Sequence, residues 1–72
     1  MTTLAGHKVR EFRRANRETA DAFGARYGVK KLAVYRWETE GRRPSTETII
    51  ALARDGVCTL EDWTVPAVPE AA

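Results

Sequence analysis

One cysteine and one histidine are all that the 72-residue sequence offers a disulfide or a metal: Cys58 has no intramolecular partner, and Cys58 with His7 is too small a set to hold zinc. No apolar stretch approaches the ~20 residues that a membrane-spanning helix needs. The first fifteen residues contain His7, Lys8, Arg10, Glu11, Arg13 and Arg14, which excludes the apolar centre of a secretory signal. A soluble, unexported chain in a reducing cytoplasm, without contact to a membrane, is therefore expected. Also missing are paired carboxylates, a Ser/His or Cys/His arrangement, a phosphate-cradling loop and metal-ligand spacing, so no enzyme, cofactor or small-molecule substrate is expected. A single domain of this length buries only about 60% of the surface its unfolded chain exposes, which leaves few core positions for a pocket. Binding through a surface is the simpler design.

What is there is asymmetric charge. All 12 Lys and Arg lie in residues 1–54 against six acids, a net +6, whereas residues 55–72 carry four acids and no base, a net −4, leaving +2 in total. A basic body is the electrostatic footprint that phosphate binding needs, and the acidic end is expected to face away from such a partner. Solvated helices of ordinary proteins also carry this much arginine.

Thr2 or Thr3 can cap a first helix from about Leu4 to Ala15, in which Ala5, Val9, Phe12 and Ala15 recur at helical spacing. Thr19 caps a second, with Ala20, Phe23, Gly24 and Tyr27 on one face and Gly28 at its end. Lys30 to Glu38 form a third, with Val34 and Trp37 inward, and Gly41 and Pro44 punctuate the loop after it. Ser45 caps a fourth helix that stops at Asp55-Gly56, although residues 48–58 also read as a hairpin turning at Asp-Gly. Thr59 caps a short turn from Leu60 to Trp63. These elements predict an all-α domain of four to five helices over residues 1–64, then an extended or disordered tail over 65–72.

Thr19 to Glu38 is a short capped helix, a tight turn and a second short helix, the layout that projects the second helix outward at a width that fits the major groove of DNA. Helix pairs of this size also occur in ordinary bundles. Glu11-Phe12-Arg13-Arg14, Thr19 through Val29, Val34-Tyr35-Arg36-Trp37-Glu38, and then Gly41 and Pro44 together resemble the Cro and repressor class of phage and bacterial helix-turn-helix regulators, from about Val9 to Trp63. Ala20, Gly24, Lys30 and the extra loop residue Glu40 depart from that pattern, so base preferences are not to be borrowed from it. The spacing from Trp37 to Pro44 also resembles small prophage Cro-like proteins and the excisionase-like winged proteins, in which a β-wing follows the proline.

The resemblance implies a transcriptional regulator, most simply a repressor in a bacterial or phage-infected cell, and an ion pair between Arg13 and Glu38 joining the first and third helices. With Val34 and Trp37 inward, the third helix turns Lys31, Leu32, Tyr35 and Arg36 outward. Lys31, Leu32 and Arg36 are the candidates for base edges, since Lys and Arg bond guanine O6 and N7, and Leu32 or Ala33 suits a thymine methyl. Phosphate contact is the alternative for the two cations. Thr19 and Lys30 stand where helix N-termini attract phosphate oxygens, although capping alone explains Thr19 equally well, and Arg42 and Arg43 in the loop are expected to touch backbone phosphates, or the minor groove if the loop reaches it.

One helix of this size makes too few contacts for tight, specific binding, so a homodimer on a palindromic site of double-stranded DNA is expected. Leu60, Trp63, Val65 and Val68 are its candidate interface, unless Trp63 packs on its own domain. A protein-interaction module of anti-regulator or antitoxin type, binding through Leu32 and Tyr35, is the alternative from another class, and an excisionase-like architectural DNA binder is a third.

Overall fold

A computed structural model describes residues 2–67. Four α-helices follow one another, α1 Leu4–Ala15, α2 Ala20–Arg26, α3 Lys31–Thr39 and α4 Thr46–Arg54, then a 3-10 turn over Glu61–Thr64. The all-α fold is as expected, and no strand occurs among the described residues. Lys30 is the cap of α3 rather than its first residue, so that helix is shifted by one position.

Side chains set where the helices begin. Thr3, Thr19 and Ser45 each offer a hydroxyl oxygen to a backbone N–H three residues on, at 3.0, 3.1 and 3.3 Å. Each cap satisfies a donor that the first turn would otherwise leave free. At its far end α2 closes in a Schellman motif: Val29 N–H donates to the Gly24 carbonyl at 3.0 Å and Gly28 N–H to that of Ala25 at 3.3 Å, with Gly28 at φ +71°. The same double closure ends α1 through Arg17 and Glu18, but there the left-handed residue is Arg17, at φ 55°. It ends α4 as well, at Gly56 and Val57, so residues 48–58 form a helix with a glycine cap and not a hairpin. Helix also follows Pro44 where a winged protein has its β-wing.

Phe23, Leu52, Val9 and Val34 are the largest fully buried side chains, and around them lie Ala5, Ala20, Trp37, Val57, Cys58 and Trp63. Each helix contributes its apolar stripe, and Phe23 meets Phe12 and Tyr27 with ring centroids 6.2 and 5.3 Å apart. Two glycines bring α3 close to its neighbours. A Cβ at Gly6 of α1 would stand 2.1 Å from the Trp37 carbonyl oxygen, and one at Gly24 of α2 would stand 2.7 Å from the Val29 carbonyl and 3.2 Å from a Val34 methyl. Gly24 thus permits the close packing expected of it, and Gly6 does the same for α1 against α3.

Of residues 65–72, expected to be extended or disordered, only 65–67 lie within the described residues. Residues 65–67 run antiparallel to the N-terminus: Leu4 N–H donates to the Val65 carbonyl at 2.6 Å and Ala67 N–H to that of Thr2 at 3.2 Å. Pro66 is tolerated because it faces Thr3 in the bridge between those two bonds, where its missing N–H is not called upon. Thr2 then donates its hydroxyl to the Trp37 carbonyl at 3.0 Å, so the N-terminal end of the described chain bonds both residues 65–67 and the last turn of α3.

Candidate nucleic-acid interface

α3 is held from behind and bare in front. Val34, Trp37 and Glu38 are its buried residues. Glu38 receives two parallel bonds from the Arg13 guanidinium, Nε to Oε2 and Nη2 to Oε1, both at 2.9 Å, while Arg13 Nη1 donates to the Glu18 carbonyl at 3.2 Å. The ion pair between α1 and α3 is therefore present, bidentate and largely dry. The Glu38 bond raises the Arg13 pKa against the opposing effect of burial, with smaller contributions from the Glu38 charge and the Tyr35 phenol.

On the front, Lys31, Leu32, Tyr35 and Arg36 are all exposed, as are Lys30 just before them and Arg42 and Arg43 in the following loop. The loop is tied to the helix, since Arg42 N–H donates to the Arg36 carbonyl at 3.3 Å. Lys30, Lys31, Arg36 and Arg43 have no carboxylate partner among the described residues, and Arg42 meets only Glu40, at 3.7 Å and well exposed. A pair so exposed contributes at most about 1 kcal/mol and opens easily. Lys30 makes no side-chain cap to α3; Ala33 N–H donates to the Lys30 carbonyl at 3.0 Å, which leaves the N–H groups of Lys31 and Leu32 without a partner among the described residues. Thr19 is also exposed, but its hydroxyl is engaged in capping α2.

The candidate apolar interface residues at the other end differ in exposure. Trp63 is only 3% exposed and packs edge-on against Trp37, with centroids 6.2 Å apart and planes at 83°, because the 3-10 turn folds back onto the core. Its place is in the domain and not on a partner. Leu60 and Val65 remain 57% and 40% exposed, and Val68 lies outside the described residues.

Three polar ties were not foreseen. Lys8 donates to Asp62 at 2.9 Å, Tyr27 donates its hydroxyl to Asp55 at 2.7 Å, and Arg26 pairs with Glu18. Burial pushes the Asp62 carboxyl up, but the bonds from Lys8 and Thr59 outweigh it and leave its pKa below the usual 3.8. Asp62 also accepts the Thr59 N–H at 2.8 Å and returns its own N–H to the Thr59 hydroxyl at 3.3 Å. That reciprocal cap was legible as Thr59-x-x-Asp62; the long-range pairs have no local signal. Burial, then the Asp55 hydrogen bond, pushes Tyr27 up to about 12. Burial likewise pushes the Cys58 thiol up to about 11, so it stays protonated and unreactive at neutral pH. No helix among the described residues is long and apolar enough to cross a membrane, and no group of three His, Cys, Asp or Glu among them is placed to hold a metal ion. No family model, curated protein or solved structure matches the chain.

Proposed function

We propose that this chain is a sequence-specific regulator that binds double-stranded DNA, laying the outer face of α3 in the major groove, and that it acts as a dimeric repressor on a palindromic site. One observation carries the reading: Lys31, Leu32, Tyr35 and Arg36 stand together on the exposed face of a helix whose opposite face is locked into the core by Val34, Trp37 and Glu38. A packed helix whose outer cations have no carboxylate partner among the described residues suits base-edge recognition, and the N–H groups of Lys31 and Leu32 at its start suit a phosphate. Lys30, Arg42 and Arg43 flank it and supply backbone contacts, which position the helix without reading sequence. The local net charge of +6 over residues 1–54 adds non-specific attraction.

The exposed Leu32 and Tyr35 also favour a second reading, a protein-interaction module using the same face. Salt separates the two. Binding of the purified protein to the DNA upstream of its own gene, and to duplexes selected from a random library, is measured at 50 and 200 mM salt, on the order of the range over which phosphate-neutralising binders lose affinity steeply. Steep, sequence-dependent loss with a two-fold symmetric footprint supports the regulator. Failure to select any duplex rejects it in favour of the interaction module.

A further inference from the structure

Leu32 has no structural task. Its side chain is 56% exposed at the second position of α3. At about 100° per residue it lies opposite the buried arc of Val34, Trp37 and Glu38, with Lys31 to one side and Arg36 to the other. A single exposed leucine means little by itself, but this one occupies the middle of the face that the proposed function assigns to DNA. It also lies in the first turn of the helix, the part that reaches base edges when such a helix docks. Leucine has no donor for a phosphate or a base, so its contribution there is apolar. The apolar group that the major groove offers is the thymine C5-methyl. Ala33, the other candidate for that methyl, is half-buried at the flank of the arc.

Resting on the DNA-binding reading, we infer that Leu32 is a specificity-determining residue that packs on the C5-methyl group of a thymine in each half-site, with Tyr35, 44% exposed one turn on, extending the apolar strip.

The test replaces each thymine of a selected duplex in turn by deoxyuridine, which removes the methyl and leaves the pairing unchanged. For the native chain, one position per half-site weakens binding about fourfold, which is ~0.8 kcal/mol at 1.4 kcal/mol per tenfold. Leu32→Ala, which disturbs no core contact, binds the thymine and uracil duplexes alike, whereas Lys31→Ala loses affinity but keeps the discrimination. Native protein that binds selected duplexes yet ignores every uracil replacement overturns the inference while leaving the DNA-binding reading intact. So does a Leu32→Ala protein that still discriminates. If no duplex is selected at all, the DNA-binding reading falls, and this inference with it.

Discussion

Along α3, Val34, Trp37 and Glu38 are fixed by what packs around them, while Lys31, Leu32, Tyr35 and Arg36 stand in solvent with no ion pair among the described residues to hold the cations. Nine residues thus carry two kinds of constraint at once. The inner face is determined by the fold: an indole buried edge-on against Trp63, and a carboxylate buried against a guanidinium. Chemistry on the outer face is free of folding demands, so what stands there is available for a partner. The same contrast separates this face from the region around Trp63, where an aromatic side chain that looked available is part of the core.

The contrast breaks most visibly at Glu38. Glu38→Ala strands the Arg13 guanidinium and is expected to cost about 3–5 kcal/mol of stability, read from urea unfolding. Replacing both partners, as Arg13→Met with Glu38→Leu, is expected to recover most of that loss. Second in size is Gly6→Ala, where the added methyl meets the Trp37 carbonyl. Overpacking of about 1–3 kcal/mol is expected to outweigh the ~1 kcal/mol of helix propensity that alanine gains over glycine, so Tm falls where propensity alone predicts a rise.

On the outer face the signs separate. Lys31→Ala and Arg36→Ala are each expected to change stability by no more than about 0.5 kcal/mol. Each is expected to weaken specific DNA binding by about 1–3 kcal/mol, measured by titration of a labelled duplex. The smallest effect concerns acid. Asp62 holds its carboxyl below the usual value in the folded chain, so the stability it contributes is complete above its unfolded pKa of about 3.9 and is lost as pH falls through the lower folded value. Asp62→Asn is expected to flatten the acid limb of stability against pH below about 4, with little effect on DNA binding.

Helix positions were legible because caps and periodicity are local. Thr3, Thr19 and Ser45 begin helices, and Gly28 and Gly56 end them, as their chemistry requires. The end of α1 at Ala15 was legible from the polar run Asn16-Arg17-Glu18, but its left-handed closing residue was not, since Arg17 at φ 55° carries no glycine signal. The outward set on α3 followed from Val34 and Trp37 alone, because helical geometry fixes the opposite face once the inner one is known. Pairings over long separations were not legible: nothing near Lys8 points to Asp62, and nothing in residues 65–67 announces their ladder with Thr2 and Leu4. Trp63 was ambiguous for a related reason, as its burial depends on where Trp37 lies in space.

The outer face of α3 is the central claim, and amide shift mapping by NMR on adding a selected duplex tests it most directly. The account predicts the largest perturbations at residues 30–36, with further ones at Thr19, Arg42 and Arg43 and little change around Leu60 and Val65. Perturbations confined to the Leu60 and Val65 end, with residues 30–36 unmoved, would contradict it.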